Sequence, residues 1–135
     1  MTGPRFHHAH LFAADLDATL AFWRRWFGAA ILYDGAVAGA RNVFVDVGGG
    51  RLHFCDQPPR NHGRTAVHHL GIRVENLAAL VGRMREAGVA FRSPVREHAT
   101  FRYIMCAAPD GVLLELFEPI ADATDDPALT RYFFD

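Results

Sequence analysis

Residues 8–16 read His-Ala-His-Leu-Phe-Ala-Ala-Asp-Leu, and residues 69–77 read His-Leu-Gly-Ile-Arg-Val-Glu-Asn-Leu. Each stretch opens on a histidine, and seven positions later comes a residue that can cap a helix, Asp15 or Asn76, followed by a leucine. The two histidines lie 61 residues apart. Matched landmarks in one order and at one spacing point to an internal duplication.

The rest of each copy follows from local chemistry. Phe6 to Phe12 alternates at period 2, which predicts a strand with Phe6, His8, His10 and Phe12 on one face. Asp15 predicts a helix start, and Leu16, Leu20, Trp23 and Phe27 recur at helical spacing. Gly28 can take the left-handed conformation that ends a helix. In the second copy Val67–Val74 reads as the strand and Asn76 as the cap. Leu77, Leu80, Val81 and Met84 form the apolar stripe, and Gly88 marks the stop. Three β-like runs follow each helix: Ala30–Tyr33, Asn42–Val47 and Arg51–Cys55, then Ala90–Arg92, Phe101–Ala107 and Val112–Phe117. Gly48-Gly49-Gly50 and Pro109-Asp110-Gly111 supply the last turn of each copy. The expected class is α+β, built from two tandem βαβββ modules. The divisions are 1–56, a linker at 57–66, a second module at 67–119 and a tail at 120–135 that ends in an aromatic run from Tyr132.

Composition narrows the function. Half the residues are hydrophobic and 21% are charged, so a packed core is expected. The formal net charge of -1 and the lack of a basic tract argue against nucleic-acid binding. No apolar run approaches a membrane span, and Met1 to Phe6 has no apolar core of a signal peptide. Two cysteines do not make a disulfide framework, which suits a reducing cytoplasm.

The eight histidines are many for this length, and their placement is informative. On the predicted strands Leu70, Ile72, Leu114, Leu116, Leu52 and Phe54 fall on the helix-facing side. His8, His10, His53, His69, Arg73 and Glu115 fall on the other. His8 precedes His53 by 45 residues and His69 precedes Glu115 by 46, so each module offers one donor from its first strand and one from its last. Glu115 stands between leucines and needs a partner, either a cation or an arginine such as Arg73 or Arg51. The symmetric placement of His8, His53, His69 and Glu115 favours a shared metal. By parity His7 and His68 face the helix or solvent, and His62 lies in the linker. His10 is a candidate substrate contact or alternative ligand.

At this point the sequence resembles the vicinal-oxygen-chelate superfamily, which includes glyoxalase I, methylmalonyl-CoA epimerase, extradiol dioxygenases and the fosfomycin and bleomycin resistance proteins. The carrying motifs are His8…Asp15-Leu16…Phe22-Trp23…Phe27-Gly28, His69…Asn76-Leu77…Gly88-Val89, and Pro109-Asp110-Gly111…Leu114-Glu115-Leu116-Phe117-Glu118-Pro119. The resemblance covers Phe6 to Pro119. The resemblance implies paired modules forming a cupped mixed β-sheet, with helices outside, around one divalent metal (Fe, Ni, Co, Mn or Zn). It implies His8, His69 and Glu115 as ligands, with His53 in the fourth place. Glyoxalase I and the epimerase usually have Glu or Gln there, so His53 is a departure that looks more like the extradiol enzymes. Those enzymes carry a tyrosine ten residues before the glutamate, where this chain has Met105; Tyr103 shares the parity of that position. Bleomycin-sequestering members typically lack the ligands that are present here.

The leading expectation is a metal-dependent lyase, isomerase or epimerase acting on a small metabolite that chelates through adjacent oxygens, with Glu115 or His53 moving the proton. The alternatives are an Fe(II) extradiol-type dioxygenase and a small-ligand binding or resistance protein without catalysis. Arg73, His98, Phe101, Tyr103, Met105 and Phe117 are the expected substrate contacts, beside His10, and Phe12 shares their parity. The family often dimerises, so a homodimer is expected.

Overall fold

The computed structural model describes residues 3, 6–60, 66–98, 100–120 and 125–134. The chain forms two compact units, Met1–Thr65 with Ala108–Asp110, and Ala66–Ala107 with Gly111–Asp135. His62 and residues 61–65 of the expected linker lie outside the described residues.

The first module runs β1 (Ala9–Ala13), α1 (Leu16–Phe27), β2 (Ala30–Val37), β3 (Ala40–Val47) and β4 (Gly50–Asp56). The second runs β5 (Leu70–Arg73), α2 (Leu77–Glu86), β6 (Arg96–Glu97), β7 (Phe101–Ala107) and β8 (Leu113–Pro119), and α3 (Pro127–Phe134) follows it. Each module is a four-stranded mixed sheet, ordered β1-β4-β3-β2 and β5-β8-β7-β6. The first and last strands of each module pair in parallel, and the other neighbours are antiparallel. The α+β class and the doubled βαβββ order read from the sequence both stand.

The caps are those expected. The Asp15 side chain accepts from the Ala18 amide at 3.0 Å, and the Asn76 side chain accepts from the Ala79 amide at 3.1 Å. Gly28 closes α1 at φ 63, a region where a Cβ is penalised. Leu16, Leu20 and Trp23 are buried on α1, as are Val43, Val45, Leu52 and Phe54 on the sheet. In the second module Leu77, Leu80, Val81 and Met84 are buried with Ile104, Cys106, Leu114 and Leu116. Each such side chain withdrawn from water contributes ~1.5–3 kcal/mol.

Several boundaries differ from expectation. β2 and β3 are longer than the runs Ala30–Tyr33 and Asn42–Val47, because Ala38 (φ 51) and Gly39 (φ 84) join them in a two-residue turn. Ala90–Arg92 is not a strand. Pro94, two residues past that segment, has no amide to donate, and the edge strand is the short Arg96–Glu97. β1 starts at Ala9 rather than Phe6, and β5 covers Leu70–Arg73 rather than Val67–Val74. The tail carries α3, with the Asp126 side chain accepting from the Ala128 amide at 2.8 Å.

Candidate metal centre

The two modules share one register. Ala9 pairs with Leu52, His10 with His53 and Leu11 with Phe54. In the second module Leu70 pairs with Leu114, Gly71 with Glu115 and Ile72 with Leu116. On the antiparallel side Phe44 lies beside His53, and Met105 beside Glu115. His53 and Glu115 are therefore equivalent positions. Both fall on the sheet face opposite the helix, because their neighbours Leu52, Phe54, Leu114 and Leu116 are buried by the alternation of the strand. His8 and His69 each sit one residue before the first strand of their module.

In the second module His69 Nε2 lies 3.8 Å from Glu115 Oε2, and both side chains are partly exposed (32% and 22%). An ion with bonds of about 2.1 Å can bridge donors up to ~4.2 Å apart, so this pair can share one. An imidazole and a carboxylate together suit Zn, Mn, Fe, Co or Ni. Gly71 is the strand neighbour of Glu115, and a Cβ built there would touch the Phe117 ring at 3.5 Å.

The first module holds an imidazole cluster. The candidate donor atoms of His7, His8 and His53 lie within 4.8 Å of one another. The His8 and His53 rings stack at 3.6 Å with an 11° tilt, and Phe44 stacks on His53 at 3.9 Å with a 20° tilt. Imidazole lone pairs lie in the ring plane. Two parallel stacked rings point them side by side, so in this arrangement His8 and His53 do not converge on a common ion. Burial holds the His53 imidazole below the usual histidine range, and the nearby rings of His8, His10 and His7 add to the effect.

The structure places the remaining sequence candidates as follows. His10 is exposed, with its ring 5.8 Å from Phe12. Arg73 is exposed at the end of β5, on the Glu115 side. His98 stacks on Phe101 at 4.9 Å, and Phe101 lies 5.7 Å from Tyr103 and 6.2 Å from Phe117. Met105 and Tyr103 sit on β7 beside Glu115 and Phe117, both half-buried. His7 and His68 are both exposed, as the parity reading allows, and each also meets the next ring: their Nδ1 atoms lie 3.1 Å from His8 Nδ1 and 2.8 Å from His69 Nδ1. Strict alternation fails here because both pairs precede the strands, where the backbone is irregular. The doubled His-His dipeptide, at 7–8 and 68–69, is the signal that could have found them.

A sequence model described as Glyoxalase/Bleomycin resistance protein/Dioxygenase superfamily matches residues 5–116. None of the curated proteins matches the chain. Among solved structures, the genomically encoded fosfomycin resistance protein FosX from Listeria monocytogenes is 21% identical, with a TM-score of 0.72 over 91% of this chain and 98% of that one. A variant of that protein, complexed with Mn(II) and 1S,2S-dihydroxypropylphosphonic acid, gives a TM-score of 0.73 at 21% identity, over 91% and 97%. Lactoylglutathione lyase from Agrobacterium tumefaciens gives 0.63 at 21% identity, over 87% and 96%. At these identities the likeness is one of fold, and membership rests on the match over residues 5–116: the chain belongs to the Glyoxalase/Bleomycin resistance protein/Dioxygenase superfamily.

Proposed function

We propose that this chain is a mononuclear divalent-metal enzyme of lyase, isomerase or epimerase type, acting on a small metabolite with two adjacent oxygens. The observation that carries the reading is the His69–Glu115 donor pair at 3.8 Å, in a module whose register repeats that of His8 and His53. His8, His69 and Glu115 would hold the ion. When bound, it supplies Lewis-acid polarisation of chelated substrate oxygens. His53, whose imidazole is held below the usual histidine range by burial, would take the substrate proton, while Phe44 stacks on its ring. Arg73 would meet a substrate carboxylate. His10, His98, Phe101, Tyr103, Met105 and Phe117 would line the substrate's path. A relative solved with Mn(II) and a ligand bearing adjacent hydroxyls supports both the metal class and the substrate class.

The same three ligands also fit a second reading, an Fe(II) extradiol-type dioxygenase. The parallel stack of His53 on His8 leaves two histidines and one carboxylate as ligands, with three positions open for substrate and O2.

Metal analysis of anaerobically purified protein tests both readings, with Glu115→Ala and His53→Ala alongside. Near-stoichiometric metal in the wild type, lost in Glu115→Ala, is the expected result. His53→Ala should keep its metal and lose turnover; loss of the metal would instead make His53 a fourth ligand. Turnover without oxygen under Ni, Co, Mn or Zn selects the lyase or isomerase, and oxygen consumption with iron selects the dioxygenase. Failure to take up any of the five metals would overturn both readings and leave a ligand-binding protein.

A further inference from the structure

We propose that His7 and His68 are positioning residues that fix the tautomer and ring orientation of His8 and His69; this rests on the metal-centre reading above. The same contact occurs in both modules: His7 Nδ1 to His8 Nδ1 at 3.1 Å, and His68 Nδ1 to His69 Nδ1 at 2.8 Å. The ring geometry repeats as well, edge-on at 5.3 Å and 88° in the first pair and 5.1 Å and 84° in the second. Neighbouring residues in a regular strand point to opposite faces and cannot touch in this way. The contact exists because β1 and β5 begin one residue after each pair, at Ala9 and Leu70.

The proton assignment follows from coordination chemistry. His69 turns Nε2 toward Glu115 and Nδ1 toward His68. A neutral imidazole that gives its Nε2 lone pair to an ion carries its proton on Nδ1. That Nδ1–H needs an acceptor, and ligating histidines are normally held by such an outer partner. Here the acceptor is the Nδ1 lone pair of the preceding histidine, whose own proton then sits on Nε2. His7 is thereby excluded as a ligand through Nδ1, although it lies in the same cluster as His8 and His53. The doubled dipeptide is a ligand followed back to its own acceptor, once per module.

The test replaces each acceptor by a ring without one and by a short side chain with one. His7→Phe and His68→Phe keep an aromatic ring; His7→Asn and His68→Asn keep an oxygen near the place of Nδ1. Imidazole proton–nitrogen NMR correlations on metal-free protein should show His8 and His69 as Nδ1–H tautomers in the wild type and the Asn variants. The Phe variants should shift toward Nε2–H. Chelator competition with Mn(II) or Co(II) should show about 10- to 100-fold weaker binding in each Phe variant, with most of the loss restored by Asn. Phe variants that keep the Nδ1–H tautomer, or that bind as tightly as a metal-binding wild type, overturn the positioning role alone. A wild type that takes up neither metal overturns the metal-centre reading and this proposal with it.

Discussion

The two modules have one register and different chemistry. Where the first sets His53 between His10 and Phe44, the second sets Glu115 between Gly71 and Met105. In the first, side-chain rings fill the space, and His53 is stacked on both sides by His8 and Phe44. In the second, the neighbour on β5 has no side chain, and Glu115 approaches His69 instead. The backbone pairing thus provides an equivalent address in each module. The group at that address, with Phe44 or Met105 beside it, decides whether the histidine before the first strand meets a stacked ring or a carboxylate. Equivalent position does not mean equivalent role.

If the modules are equal as scaffolds, truncating equivalent core residues should harm both. Phe54→Ala should cost about 3–5 kcal/mol and Leu116→Ala about 2–5 kcal/mol in urea unfolding, since both side chains are almost fully buried. A negligible loss at one of them would break the equivalence. The caps test it at finer scale. Asp15→Ala and Asn76→Ala should each cost about 1 kcal/mol, because each leaves a helix-terminal amide without its acceptor.

A smaller effect separates the modules. The β2–β3 turn places Ala38 at φ 51, where an L-residue is strained. Ala38→Gly should raise stability by up to about 1 kcal/mol, read as a higher urea midpoint. A lower midpoint would show that this turn is not strained.

The last prediction concerns pH. Burial first, and then the neighbouring imidazoles, hold His53 below its ordinary value of 6.5. The unfolded chain therefore binds a proton at His53 at higher pH than the folded chain. This contribution to stability is present above 6.5 and is lost as pH falls from there through the folded value. Urea midpoints measured across that range should show the slope, and His53→Asn should reduce it. Phe44→Ala uncovers the ring, so the NMR titration of His53 should move up toward 6.5. An unchanged titration in Phe44→Ala would mean that the stack is not what shields His53.

Much of this was legible in one dimension. The repeat, the caps Asp15 and Asn76, and the alternation that buries Leu52, Phe54, Leu114 and Leu116 all follow from periods built into the backbone. The α3 helix was also written locally, as Asp126 followed by Pro127, a cap and a favoured first helical residue. It was obscured because the segment lies past the repeat. The family likewise needed no coordinates. Tertiary structure decided where the strands begin, and so whether His7 and His68 turn away or meet the next ring. It also decided that His53 lies flat between two rings while Glu115 reaches an imidazole. The physical reason is that periodicity assigns a side chain to a face only inside a regular element. At strand ends, and for the final direction of a ring, the outcome depends on neighbours brought in by strand pairing from distant parts of the chain.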